Sequence, residues 1–143
     1  MSGKLDNIQI QNLVSMALQA RANAYVPYSK YAVGAALLTE GGEIYLGCNI
    51  ENASYGATNC AERTAFFKAV SEGKRSFRGI AIAGGIAGEN PVDYAYPCGV
   101  CRQVMKEFCS EAFQIIVVKS SVDYRIFTLA ELLPYGFGGE SIR

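Results

Sequence analysis

The alternation of apolar runs with helical patterns sets the strongest limit on how this chain can fold. Residues 31–38 form a mostly apolar run, Glu40-Gly41-Gly42 is a turn, and residues 43–49 resume the run, which is the pattern of a β-hairpin. Further β-rich runs stand at 77–83, 114–119 and 124–128. Two segments of helical spacing lie between them. Residues 60–72 place Ala61, Thr64, Ala65 and Ala69 on one side and stop at Gly73, and residues 98–109 carry Val104, Met105 and Phe108 at the same spacing. A first helix over 6–24, with Ile10, Leu13, Val14, Ala17 and Leu18 on its apolar face and Asp6 or Asn7 as N-cap, ends before Pro27. A last helical turn over 128–133 ends before Pro134, and residues 136–143 form a Gly-rich tail. Strand-helix-strand units cross over right-handed, so a parallel portion of sheet should lie beside the antiparallel hairpin, with helices on both faces. The order predicts an α/β fold, a three-layer α-β-α sandwich around a mixed five-stranded sheet.

At 143 residues without a repeat, low-complexity segment or linker, the chain reads as a single domain over 1–143. Thirteen Lys and Arg balance thirteen Asp and Glu, so no net field draws it to phosphate polymers or anionic membrane, and neither nucleic acid nor membrane is an expected partner. The polar N-terminal stretch has no apolar core of a signal peptide, and no run approaches the roughly 18 apolar residues that span a bilayer. A soluble cytoplasmic protein is expected. Hydrophobic residues make up 50% of the chain and charged ones 18%, a balance that points to surface buried between subunits and so to a homo-oligomer.

The chain has no His, which removes the usual neutral-pH base and the commonest metal ligand and leaves proton transfer to carboxylates, Cys, Lys or Tyr. Its five Cys, an odd number without a secretion signal, argue against a disulfide framework. Cys98 and Cys101 stand at i and i+3 at a predicted helix start and can reach one ion about 2.3 Å from each sulfur. Cys60 opens the other central helix. All three sit where free backbone N–H groups and the helix dipole favour a thiolate. Three such sulfurs suit a soft four-coordinate ion, zinc being the usual one, and leave the fourth position open to water, as in catalytic sites. Cys109 lies about 12 Å down the helix, out of reach of the same ion, and Cys48 reads as a small core hydrophobe. Glu62, in the first turn beside Cys60, is either a proton shuttle or a plain complement to the helix dipole.

Cys60-Ala61-Glu62 followed by Pro97-Cys98-Gly99-Val100-Cys101 resembles the zinc nucleoside deaminase signature in its three-Cys form. Tyr28-Ser29-Lys30, Val33-Gly34-Ala35-Ala36, Gly47-Cys48-Asn49-Ile50-Glu51-Asn52-Ala53, Arg63-Thr64-Ala65, Arg102-Gln103 and Leu132-Leu133-Pro134 extend the similarity to the small homotetrameric cytidine deaminases over nearly the whole chain. The resemblance implies hydrolytic deamination of cytidine and 2′-deoxycytidine to uridine and 2′-deoxyuridine plus ammonia, a step of pyrimidine salvage. It implies one zinc per chain on Cys60, Cys98 and Cys101, with Glu62 moving protons. It implies that Asn49 and Glu51 bind the ribose 3′-hydroxyl and that the Ala61 N–H meets the base carbonyl oxygen. Tyr31 stands where the family often has a Phe against the pyrimidine ring, and Tyr96 stands where a smaller residue is frequent. Tyr55 and Phe137 match aromatics that approach a neighbouring subunit's site. Read singly, these aromatics suit core packing, and Asn49 and Glu51 a solvated strand end.

Deamination needs a nucleophile at neutral pH and protons for a ring nitrogen and the departing amine. Three thiolates make the site net negative, and Arg63, adjacent to Glu62, is the natural group to offset that charge by donating to sulfur. Other readings stay open at this point. A Cys98/Cys101 redox pair leaves Cys60-Ala61-Glu62 unused, a structural zinc needs a fourth protein ligand that no spacing supplies, and a polynucleotide deaminase needs basic surface. Blasticidin-type deaminases share the three-Cys site, and Asn49-Ile50-Glu51 favours ordinary nucleosides.

Overall fold

A computed structural model describes residues 4–142; residues 1–3 and 143, the ends of the expected single domain, lie outside the described residues. Asp6 caps the first helix, α1 (Asn7–Ala20), accepting from the Gln9 N–H at 2.8 Å while Gln9 Oε1 accepts from the Asp6 N–H at 3.0 Å. The helix stops four residues short of the expected Ala24, and one 3₁₀ turn, Arg21–Asn23, follows it. Arg21 explains the early stop. Its guanidinium donates to the carbonyls of Ala32 at 2.9 Å and Ile86 at 3.1 Å, and Tyr25 then bridges to Ile50, so the chain has already turned toward the sheet.

Five strands follow: β1 (Tyr31–Thr39), β2 (Ile44–Cys48), β3 (Phe77–Ile86), β4 (Gln114–Val118) and β5 (Tyr124–Thr128). They lie in the order β2-β1-β3-β4-β5, with β1 antiparallel to β2 and β3, β3 parallel to β4, and β4 antiparallel to β5. The expected mixed sheet is therefore present. α2 (Ala61–Ser71) connects β2 to β3, and α3 (Gly99–Phe108) connects β3 to β4. A capping box between Thr128 and Glu131 starts the short α4 (Leu129–Leu132).

Period-two alternation divides the strands between two cores. Ala36, Leu38, Ala81, Ala83, Ile116 and Val118 face Ile10, Leu13, Val14 and Ala17 of α1. Their neighbours Ala35, Leu37, Ile80, Ile82, Ile115 and Val117 face Ala61, Ala65, Phe66 and Ala69 of α2 and Met105 of α3. Phe66, fully buried, meets Phe77 edge-on at 5.0 Å between ring centroids, and burial of such a side chain stabilises the fold by about 1.5–3 kcal/mol. Among the described residues no helix is long and apolar enough to cross a membrane.

One departure from the expected pattern and one close backbone contact bear on the site. β3 runs to Ile86 rather than stopping at Ala83, because Gly84 and Gly85 pair with Val33 and Ala32. A Cβ on Gly84 would stand 2.9 Å from both Ala95 Cβ and Tyr31 Cε2, so the glycine here makes room for neighbours. Gly47 serves α2 in the same way. A Cβ there would collide with the Ala61 carbonyl oxygen and the Ala65 N–H, so the bare backbone of β2 lets the first turn of α2 rest on it. Gly47→Ala is expected to displace that turn, at a cost of about 1–3 kcal/mol in stability, and to lower zinc retention because the turn carries Cys60 and Glu62. Denaturant unfolding and metal content of the purified variant test this. A zinc-replete variant of unchanged stability would contradict it.

Candidate active site

Cys60 is the N-cap of α2, Cys98 is the N-cap of α3, and Cys101 occupies the first turn of α3. Neither capping sulfur accepts a capping hydrogen bond from the backbone N–H groups of its own helix, so both remain free to ligate. The helices meet at these ends. Sγ of Cys60 lies 3.8 Å from that of Cys98, which lies 3.5 Å from that of Cys101, and the three sulfurs are all within 4.8 Å of one another. Tetrahedral coordination with metal–sulfur bonds of about 2.3 Å would place sulfurs about 3.8 Å apart, so the set fits one zinc ion with little rearrangement. All five cysteines are free thiols, and Cys48 and Cys109 stand apart from the cluster.

The electrostatics suit ligation. The Cys101 thiol and then the Arg63 guanidinium hold Cys60 down at about 5, while its interaction with Cys60 and its own burial push Cys101 up. Arg63 Nη2 donates to Cys60 Sγ at 3.2 Å, and this bond holds the guanidinium well above its ordinary range. Glu62 is only 4% exposed. Burial first, with the charge of Cys60 adding to it, raises its carboxyl to about 7. Burial likewise pushes the Cys109 thiol up, where it packs half-buried against the core.

Cys60, Cys98 and Glu62 open on a cavity of about 290 Å³. It is also lined by Tyr31, Val33 and Asn49, by Ala61 and Ile82, and by Tyr94, Ala95 and Tyr96. The Asn49 side chain is locked in place: its Oδ1 accepts from the Val33 N–H and its Nδ2 donates to the Tyr31 carbonyl, each at 2.9 Å. Ala61 is the first residue of α2, so its N–H has no acceptor within the helix and is free to meet a ligand. A small polar compound would thus meet a fixed amide, a free N–H, a carboxyl near neutrality and a thiolate cluster within one enclosure.

Residues 7–117 match the family model for the cytidine and deoxycytidylate deaminase zinc-binding region. The chain belongs to this family. The cytidine deaminase of Sporosarcina psychrophila is 50% identical over 135 residues, covering 94% of this chain and 96% of that protein. That of Halalkalibacterium halodurans is 49% identical over 132 residues, covering 92% and 96%. The crystal structure of the cytidine deaminase from Burkholderia pseudomallei superposes with a TM-score of 0.81 at 41% identity, over 93% of this chain and all of that one. The three-sulfur cluster is accordingly a zinc site of this deaminase family, with one ion per chain.

The fold brings together eight of the residues singled out from the sequence: Cys60, Cys98, Cys101, Glu62, Arg63, Ala61, Asn49 and Tyr31. Three others lie elsewhere. Glu51 and Tyr55 line a neighbouring recess of about 380 Å³. There the Glu51 carboxylate accepts from the N–H groups of Tyr28 and Ser29, at 3.0 and 3.1 Å, and from the Ser29 hydroxyl. These bonds, the hydroxyl's first, hold it below the usual carboxylate range. Phe137 sits on the C-terminal segment, 58% exposed, its carbonyl accepting from Gln103 Nε2 at 2.7 Å. Sequence reasoning missed Tyr94 as a wall of the cavity and noted Tyr96 only as a departure from the family pattern. The repeat of tyrosine two residues apart, directly before Pro97-Cys98, was the available signal.

Proposed function

We propose that this chain hydrolyses cytidine and 2′-deoxycytidine to uridine and 2′-deoxyuridine with release of ammonia, as one domain spanning residues 1–143. The observation that carries the reading is the buried carboxyl of Glu62 on the cavity into which Cys60 and Cys98, two of the three clustered sulfurs, open. Cys60, Cys98 and Cys101 hold zinc, which when bound supplies the Lewis acidity that activates water as a nucleophile. Glu62 does the proton work. Its carboxylate takes a proton from the attacking water, delivers it to ring nitrogen 3, and relays a second proton to the amine leaving carbon 4. Burial raises this carboxyl toward neutrality in the metal-free chain, which favours its holding the proton between the two transfers. Water adds its oxygen at carbon 4 and the exocyclic amine departs as ammonia, so atoms and protons balance.

The Ala61 N–H donates to the base carbonyl oxygen, and Tyr31 packs its ring against the pyrimidine. Asn49 holds the ribose 3′-hydroxyl from the cavity wall, and Glu51 reaches the same hydroxyl from its separate recess, with the carboxylate shared between the sugar and its bonds to Tyr28 and Ser29. Arg63 offsets the negative charge of the sulfurs through its bond to Cys60. The assay is direct. Purified, zinc-loaded protein with cytidine should lose absorbance as uridine forms and should release one ammonia per turnover; no change with either nucleoside would overturn the reading.

We further propose a cytoplasmic homotetramer active in pyrimidine salvage, in which Tyr55 and Phe137 complete a neighbouring chain's site. Support comes from their exposure, 77% and 58%, and from the bonds that hold the C-terminal segment on α3, including Lys106 to Glu140 at 3.0 Å. Phe137→Ala is expected to raise KM about 10-fold, as loss of one anchoring aromatic does, with the stability of the isolated chain changed little. Sedimentation of an active monomer would refute the assembly, and an unchanged KM would refute the role of Phe137.

A further inference from the structure

One stretch of the cavity wall is held by an edge of the sheet that takes no other part in the site. Twelve residues, 87–98, join β3 to α3 without a helix or strand, and Tyr94, Ala95 and Tyr96 within them line the cavity just before Cys98. A segment of this length loses much conformational freedom when it is ordered, so a fixed wall requires anchors. The near end is tied by the Ala87 N–H to the Lys30 carbonyl at 2.8 Å. The far end is tied to the β4–β5 hairpin. Tyr94 Oη donates to Asp123 Oδ1 at 2.5 Å, a charge-assisted bond. Arg125 Cζ lies 4.2 Å from the centre of the Tyr94 ring, within cation–π range. Arg125 Nη1 also reaches Tyr96 Oη at 3.4 Å, and the Tyr96 ring packs on Phe127 at 5.7 Å between centroids. Asp123 is itself fixed, its N–H donating to Ser120 Oγ at 3.0 Å and its carbonyl accepting from the Lys119 and Ser120 N–H groups at 2.9 Å each.

We propose that Asp123 and Arg125 are positioning residues: they hold Tyr94 and Tyr96 as a preformed wall of the nucleoside cavity and thereby set substrate affinity. The inference rests on the deamination proposed above. Arg125 is exposed and Asp123 is half-buried in the turn before β5, so loosening them should leave the fold intact. A wall ordered before the ligand arrives spares binding the cost of ordering it, and this benefit reaches ground state and transition state alike.

Three single variants and one double variant test the proposal, each assayed for KM, kcat, zinc content and melting temperature. Tyr94→Phe keeps the ring and loses the donated bond, Asp123→Ala loses the acceptor, and Asp123→Asn keeps a carbonyl acceptor. KM for cytidine is expected to rise roughly 3- to 10-fold in the first two, the range of one such bond, with kcat within about twofold of wild type. Asp123→Asn should recover most of the loss, and Tyr94→Phe combined with Asp123→Ala should be no worse than Asp123→Ala alone, since both remove one shared bond. Unchanged KM in Tyr94→Phe and Asp123→Ala, even with lower melting temperatures, would show a strap that matters only to stability and would overturn the proposal. An Asp123→Asn variant as impaired as Asp123→Ala would overturn it too. Failure of the wild-type chain to turn over cytidine would overturn the deamination reading and this inference with it, whereas wild-type turnover with unaltered variants sinks the inference alone.

Discussion

Glu62→Gln is expected to lower turnover of cytidine by at least 10²- to 10⁴-fold, the usual contribution of a general acid–base group, while zinc content stays at one per chain. The amide keeps the shape of the carboxyl and cannot accept and return a proton. Metal analysis beside steady-state kinetics separates this from a damaged site, and activity within about tenfold of wild type would refute the role. The same variant tests the burial that tunes the group. Glu62 rises in the folded, metal-free chain to about 7, above the value of about 4.3 for a free side chain. A raised carboxyl binds its proton more tightly when folded, so its contribution to stability is full below about pH 4.3 and is lost as pH rises through about 7. The amide that replaces it has no such proton to lose. Metal-free Glu62→Gln should therefore be more stable than metal-free wild type at alkaline pH, by on the order of 3 kcal/mol, with the gap closing in acid.

How much of this was legible in the sequence depends on the range of each interaction. The helices of the site were legible because a cap, an apolar spacing and a stop signal are all local: Cys60 and Cys98 stand where N-caps belong, and Ala65, Ala69 and Met105 mark the buried faces. The mixed sheet was legible from the alternation of strands and helices. The run expected over 77–83 ended short of Gly84 and Gly85, where glycine permits close packing within the strand. Arg21 could not be read as a helix terminator, since its acceptors lie 11 and 65 residues away. The tie from Tyr94 to Asp123 spans 29 residues, and no local pattern encodes it. Glu51, Tyr55 and Phe137 remain outside the cavity within one chain, and the proposed neighbour is what would bring the aromatics to a site.

Arg63→Gln is expected to weaken zinc binding by roughly 10- to 100-fold, the usual effect of losing a group that orients and supports a ligand. Its pH dependence makes the sharper demand. In the metal-free cluster Cys101 is pushed up and must lose its proton to the incoming ion, so affinity rises with pH, about tenfold per unit for each proton displaced. Cys60, held at about 5, is already a thiolate at neutral pH and adds no proton there. As pH falls through about 5 it too becomes protonated, and the dependence should steepen by one more proton. Arg63 is the second cause of that low value, after the Cys101 thiol, so losing its bond to Cys60 Sγ lets the Cys60 thiol rise and moves the steepening toward neutral pH. Competition with a chromophoric chelator across the acid and neutral range measures both affinity and slope. Values equal to wild type would mean that the N-termini of α2 and α3 stabilise the thiolates without Arg63, and that its contact with Cys60 contributes only to packing.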